Sequence, residues 1–430
     1  MTRDRVLRLY ARIFRIARQW EAQDPKETEA ERAYIRREAQ QKFHDNKEIK
    51  EEEQVRVLLD NAEARITIAE HYRIPYERPP YLKQGTAYDV HVADKNAPET
   101  RLARRSAIDR ETPELQRLFR FYFASSALAL ELELSPLLSL DESTLDRLFD
   151  PEFVAHLPLK PSFQKLFLKK AIDFLTKHNI HSDSLYQSLC LAMAAPNGPF
   201  YRHFFPRGFR EAPIVMQERP EAIVDGTTGL SSWLASYVLA NHLLQCEQLD
   251  GQRVIELGAG CGLAGIAAAR FHRLAHLWTT DCDPQVLQQL EANVGANFDG
   301  DSRATIAVQR CDFGDARSLD LLPKGVDLIL AADVVYDAQL SEFLVAAFAQ
   351  LAPCRMLVAA AERNAETLEH FRRLLESAPL TFTTRCFAIR DARGEIERTD
   401  EPNAVGLRPL IPPSGTAEKI VLFDIRLSRS

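Results

Sequence analysis

No stretch of this 430-residue chain is apolar for long enough to cross a bilayer. The most apolar window, Phe121 to Leu130, is closed by Arg120 and Glu131. It falls well short of the roughly 20 residues that a spanning helix needs, so it reads as a buried helix. Paired cysteines are missing as well. The seven cysteines stand singly at Cys190, Cys246, Cys261, Cys282, Cys311, Cys354 and Cys386. Without CxxC or zinc spacing they read as buried thiols in a reducing compartment. There is no basic stripe either: the net charge of −7 is spread along the chain, which removes the electrostatic ground for a nucleic-acid partner. His178 and His181 lie three apart, but they flank a polar turn with no second ligand pair nearby, so no metal site is expected.

What is present fits folded, soluble units. The chain is 46% hydrophobic and 27% charged, the usage of globular domains, and its length exceeds one ordinary core, which suggests two or three units. At the start, Arg3, Arg5, Arg8, Arg12, Arg15 and Arg18 face only Asp4 and resemble an Arg-rich mitochondrial presequence. The apolar residues favour a bundle helix instead, because Val6, Leu9, Tyr10, Ile13, Ile16, Ala17 and Trp20 recur at helical spacing. A second helix is signalled by Asp24, Pro25 and Glu27 as N-cap, first-turn proline and capping-box acid. Ala33, Ile35, Ala39 and Phe43 follow at its apolar positions. A third helix is expected from Glu51 to Tyr72, after which Pro75, Pro79 and Pro80 stop regular structure.

The runs LYARIFRIARQW (Leu9 to Trp20), YIRREAQQKF (Tyr34 to Phe43) and ARITIAEHYRIPYERP (Ala64 to Pro79) resemble the LYR-motif family of three-helix mitochondrial adaptors. That resemblance implies acyl carrier protein as a partner and the mitochondrial matrix as a compartment. The chain departs from the signature where arginine follows Leu-Tyr: Ala11 stands there, and Arg12, one place later, is turned about 100° around the helix. The expected divisions are a bundle over 1–89, a polar linker over 90–112, a helical region over 113–199 and an α/β domain over 200–430.

Chemistry is concentrated in that last part. RVIEL (Arg253 to Leu257) reads as a buried strand running into Gly258, Gly260 and Gly262, with a helix from Leu263 to Phe271. Strand, glycine turn and helix N-terminus make a nucleotide site. Glu256 at the strand end is expected to take a hydrogen bond or charge from the ligand. Gly260, Gly262 and Gly265 also satisfy GxGxxG, the dinucleotide fingerprint of an oxidoreductase. The register is wrong for that reading, since Gly258 already closes the strand. A second strand, His276 to Thr280, ends in Asp281, placed for the ribose hydroxyls. Asp283 with Pro284 reads as the N-cap and first-turn pair of a helix through Ala296. A third strand leads to Asp312 and Phe313, a carboxylate and an aromatic face for adenine. The fourth, Val326 to Ala331, is almost continuously apolar, as a central parallel strand is, and leads through Ala332 to Asp333, Val334, Val335 and Tyr336.

Five runs make the resemblance specific: DGTTGLSSW (Asp225 to Trp233), VIELGAGCGLAGIA (Val254 to Ala267), TDCDPQVLQQLEAN (Thr280 to Asn293), LAADVVYD (Leu330 to Asp337) and ERNAET (Glu362 to Thr367). With the helical stretch Phe163 to Ala195, they resemble the elongation factor 2 lysine methyltransferase family, seven-strand enzymes with a DxxY motif. The resemblance implies a seven-strand Rossmann-like α/β domain, S-adenosyl-L-methionine as cofactor, a lysine of elongation factor 2 as acceptor, and the cytoplasm as compartment. Trp233 and Ala332 then join the cofactor set, and Asp333 and Tyr336 border the lysine channel. Two residues depart from the family pattern: Leu234 stands where an acidic residue is usual, and Phe313 replaces a tryptophan.

Overall fold

The computed structural model describes residues 2–22, 26, 28–46, 49, scattered positions between 54 and 69, 108–149, 157–195, 198–220 and 227–428. The expected linker up to residue 107, the cap formed by Asp24, Pro25 and Glu27, and the prolines at 75, 79 and 80 lie outside the described residues. In chain order the main helices are α1 (Thr2–Gln19), α2 (Thr28–Asp45), α3 (Pro113–Phe123), α4 (Glu142–Leu148), α5 (Pro161–Lys177), α6 (Asp183–Ala194), α7 (Leu234–Cys246), α8 (Leu263–Phe271), α9 (Pro284–Asn297), α10 (Ala338–Leu351) and α11 (Ala365–Ser377). The fold divides into two compact units. One comprises Met1–Arg104, Leu140–Ala155 and Gln164–Pro196; the other comprises Arg105–Ser139, His156–Phe163 and Asn197–Ser430.

In the first unit the helical spacing of the N-terminal segment becomes a core. Leu9, Leu59 and Ile66 are buried together, with Val6, Ile13, Ile16, Phe43, Val55 and Ala62 packed around them. The turn from α1 to α2 is tied by Trp20, which donates to the buried Glu31 at 2.6 Å, and by Arg32, which donates to the Trp20 carbonyl at 2.8 Å. Further along, α4 and α6 carry side-chain N-caps: Asp141 accepts from the Thr144 amide at 2.7 Å and Ser182 from Leu185 at 3.3 Å. Such caps satisfy amides that a helix start leaves unpaired.

The second unit is built on an eight-stranded sheet ordered β5-β4-β3-β6-β7-β10-β8-β9. Its strands are β3 (Arg253–Leu257), β4 (His276–Asp281), β5 (Ile306–Arg310), β6 (Leu328–Ala332), β7 (Arg355–Ala361), β8 (Leu380–Ile389), β9 (Ile396–Arg398) and β10 (Ala417–Leu427). Strands β3 to β7 are parallel, while β10 runs antiparallel between β7 and β8. This is the expected Rossmann-like α/β sheet, with the three-residue β9 added at its edge. The central strands lack polar alternation because both faces are covered. Ile255, Leu257, Ile329, Ala331, Met356, Val358, Val421 and Phe423 point into one layer with Leu344 and Phe348 of α10 and Leu368 and Phe371 of α11. The alternate residues, Val254, Leu328, Leu330 and Leu357, are buried on the opposite face. Strand order reverses at β3, which pairs with β4 on one side and β6 on the other, and such a reversal opens a crevice at the carboxyl ends of the strands.

A separate hairpin, β1 (Phe200–Phe204) and β2 (Ile214–Glu218), is clipped to α9 by side-chain amides. Asn297 accepts from the Val215 amide at 2.9 Å and donates to its carbonyl at 2.6 Å. Asn293 accepts from the Gln217 amide at 2.6 Å and donates to the Cys261 carbonyl at 2.9 Å.

Candidate active site

The glycine loop sits at the end of β3 and turns through positive φ at Gly258 (61°), Gly260 (55°) and Gly262 (83°), a region that side chains other than short polar ones avoid. Space is short as well. A Cβ at Gly258 would meet a Val334 methyl at 2.7 Å, and one at Gly260 would meet the Gly229 carbonyl at 3.2 Å. The loop therefore closes against the turn that follows Leu328–Ala332 on one side and against the segment Thr227 to Trp233 on the other. Gly262 opens α8.

Two carboxylates stand at the next strand ends. Asp281 closes β4 and accepts the Gly260 amide at 3.0 Å and the Asp283 amide at 3.2 Å, so it fastens the glycine loop. Burial raises its pKa, against the pull of those amides. Asp283 is the N-cap of α9, accepting from Gln285 at 2.8 Å and Val286 at 3.2 Å, with Pro284 in the first turn. Asp312 is exposed beyond β5 and accepts the Gly314 amide at 2.9 Å. Phe313 packs on the core and lies 3.7 Å from a Cβ placed at Gly258.

Ala332 ends β6, paired with Ala359, and Asp333 follows with φ of 60°. The Asp333 side chain is 6% exposed. It accepts the Ala361 amide at 3.3 Å and pairs with Arg363 at 2.5 Å. Burial raises its pKa, while Arg363 and the Ala361 amide oppose the rise. The Arg363 guanidinium lies 4.7 Å above the Trp233 ring, whose Nε1 donates to the Thr228 carbonyl at 3.0 Å. Val334 and Val335 anchor the turn in the core, leaving Tyr336 outward and 55% exposed. Burial, then Cys282, Asp337 and Asp281, raise the Tyr336 phenol against a hydrogen bond with Thr228. The phenol is therefore protonated at neutral pH. Asp333, Arg363 and Trp233 thus form a chain of contacts, and Thr228 joins Trp233 to Tyr336.

Glu256 has a different setting from the other site residues. It is 3% exposed, with one oxygen accepting the Gly265 amide at 3.1 Å and the other the Thr279 hydroxyl at 2.9 Å. It ties the first turn of α8 to β4 beneath the loop. Burial carries its pKa from 4.5 to about 7. Between those values the folded chain keeps a proton that the unfolded chain has released, so stability falls as pH rises through this window. Above it the buried anion costs roughly 3 kcal/mol. Glu256→Gln keeps both bonds, with its carbonyl toward Gly265 and its amide toward Thr279. Relative to wild type it should gain roughly 3 kcal/mol between pH 4.5 and 8 in denaturant unfolding. Parallel pH profiles for the two proteins would refute a buried charge at this position.

Trp233, the glycines, Asp281, Asp312, Phe313, Ala332, Asp333 and Tyr336 lie around the carboxyl ends of β3 to β6. Arg363 and the polar stripe of α9, which the sequence did not single out, join them. The stripe had a signal: Gln289, Asn293 and Asn297 recur every fourth residue, on one helix face. Gln289 donates to the Leu230 carbonyl at 3.1 Å, so the stripe holds both the glycine loop and the segment over it.

The donor set suits a ligand with hydroxyl and amine donors and a positive centre: two carboxylates and an aromatic face flank a backbone loop open to close approach. Comparisons with known proteins agree with that chemistry. Residues 220–377 match the family described as lysine methyltransferase, and residues 4–68 the family described as complex 1 protein (LYR family). The chain is 31% identical over 243 residues to the protein-lysine N-methyltransferase EEF2KMT of Homo sapiens, covering 51% of this chain and 72% of that protein. It is 26% identical over 270 residues to the protein-lysine N-methyltransferase EFM3 of Chaetomium thermophilum, covering 54% of this chain and 77% of that one. At the other end it is 48% identical over 84 residues to LYR motif containing protein 1 of Danio rerio, covering 19% of this chain and 71% of that protein.

Proposed function

Because this chain belongs to the protein-lysine N-methyltransferase family, with a LYR-family segment before the catalytic part, we propose that it methylates one lysine side chain of elongation factor 2. Its cofactor is S-adenosyl-L-methionine. When bound, that cofactor supplies an electrophilic methyl group on a sulfonium, so the chain need provide no nucleophile of its own. Asp281 would hold the ribose, Asp312 and Phe313 the adenine, and Gly258, Gly260 and Gly262 with Trp233 and Ala332 the rest, while Glu256 supports the loop from beneath.

The observation that carries the acceptor assignment is the nearly buried Asp333 at the end of β6, beside the outward Tyr336. A lysine must arrive neutral to attack, and burial penalises its ammonium form. Asp333 orients the incoming amine, and the protonated phenol of Tyr336 borders the entrance. Arg363 holds Asp333 in place from the other side. These are positioning roles, in which rate is gained from alignment.

Incubating the chain with labelled S-adenosyl-L-methionine and purified elongation factor 2 should label a single lysine. An enzyme that binds cofactor, leaves elongation factor 2 unlabelled and marks another protein in an extract would end the substrate assignment. This substrate also assigns the chain to the cytoplasm, whereas recovery from the mitochondrial matrix on fractionation would contradict it.

For the N-terminal segment, we infer acyl carrier protein as a partner that Ala11 weakens. Leu9 is buried in the core at 4% exposure while Ala11 is exposed, so the motif's missing arginine falls on the surface. Ala11→Arg should tighten carrier binding about tenfold by calorimetry, the worth of one good charge-assisted contact. Unchanged binding would exclude a carrier contact at this position.

A further inference from the structure

Away from the strand ends, three guanidinium groups line a cleft of about 520 Å³: Arg120, Arg207 and Arg408, with Gln245 and Phe271 among its other walls and no carboxylate. Gln245 lies near the end of α7 and Phe271 is the last residue of α8. Both helices begin beside the glycine loop, so the cleft lies about 16 Å further along α7, toward the amino ends of the strands.

The arginines are held in place but poorly neutralised. Arg120, in the last turn of α3, has a buried Nε without a hydrogen-bond partner. Burial lowers its pKa and Arg408 adds repulsion; Asp109 is the opposing charge. Asp109 is itself engaged by the amides of Phe209 at 2.9 Å and Arg210 at 3.0 Å. Arg207 stacks 4.3 Å from the Phe271 ring and donates to the Phe271 carbonyl at 3.0 Å, with Glu211 3.6 Å away. The backbone of Arg408 is pinned by the Gln245 side chain, which accepts at 3.0 Å and donates to the Arg408 carbonyl at 2.9 Å. A neighbouring hollow shares Arg120 and Arg408 and adds Arg117, whose distance to Glu395 is 3.8 Å. Guanidinium groups that repel across a cleft, one of them with an unmet buried donor, are stabilised when an oxyanion bridges them.

We propose that this cleft binds a phosphate-bearing small molecule, its oxyanion held between Arg120, Arg207 and Arg408. A phosphate has enough oxygens to meet three guanidinium groups, whereas a carboxylate has two. The cleft exceeds the size of one phosphate, which leaves room for a second phosphoryl or an organic part against Leu244 and Leu410.

The test is calorimetry on the full chain with inorganic phosphate, pyrophosphate and acetate as probes. Pyrophosphate should bind saturably, phosphate more weakly and acetate not at all. Arg207→Gln and Arg408→Gln, both at exposed side chains, should each weaken pyrophosphate about tenfold and leave S-adenosyl-L-methionine affinity unchanged. The proposal fails if no probe saturates, if both variants bind pyrophosphate as wild type does, or if cofactor competes with pyrophosphate and so assigns it to the glycine loop.

Discussion

Replacing Asp333 by Asn should slow methyl transfer to the acceptor lysine about a hundredfold, some 2.7 kcal/mol, while cofactor affinity stays within about threefold of wild type. The substitution suits this position. Asp333 sits at φ of 60°, where Asn is at ease and Ala would add roughly 1 to 2 kcal/mol of strain. Asn can still accept the Ala361 amide, so the turn survives and only the charge is removed. Arg363, with a side chain 47% exposed, turns to solvent at little cost once its partner is neutral. Single-turnover rates read beside calorimetric cofactor binding separate the two possible roles. If affinity and rate fall together, Asp333 belongs to the cofactor seat and the acceptor channel must lie elsewhere.

Asp281→Ala should act on the other half of the site and weaken S-adenosyl-L-methionine binding by roughly 3 kcal/mol, about a hundredfold. Two losses combine. The ribose loses a charged acceptor, and the glycine loop loses the carboxylate that accepts the Gly260 amide at 3.0 Å. Transfer at saturating cofactor should recover to within a few-fold, because Asp333 and Tyr336 are untouched. Asp283→Ala provides the contrast: it removes an N-cap worth about 1 kcal/mol, so it should lower the unfolding midpoint and spare affinity. Equal losses of affinity in both variants would mean that α9 positions the cofactor and Asp281 does not touch it.

The legible part of this protein was local. The helix of Leu263 to Phe271 and the strand of Arg253 to Leu257 emerge with the expected bounds, because glycines and apolar runs mark them within a few residues. Asp283 and Pro284 announce a helix start in the same way. What escaped was decided at long range. β10 lies between β7 and β8, more than fifty residues from its β7 partner, and alternation within AEKIVLFDIRL cannot say which neighbours it will pair. Arg363 is ordinary in its own run and acquires meaning only when β6 and β7 bring it beside Asp333 and α7 brings Trp233 beneath it. Glu256 shows the same limit: its place before the glycines suggests a ligand contact, while its buried partners, the Gly265 amide and the Thr279 hydroxyl, come from a later helix turn and from β4.

The amide stripe of α9 makes a small hairpin and a ligand-holding loop into one cooperative element. Asn293 is fully buried and bonds at the same time to Gln217 of β2 and to the Cys261 carbonyl within the glycine loop. If either partner peels away, a buried amide is stranded at a cost of about 1 to 3 kcal/mol, and the opening of one lowers the barrier for the other. Fluctuations of β2 and of the glycine loop are therefore correlated, and a ligand that quiets the loop also quiets an edge of the molecule it never touches.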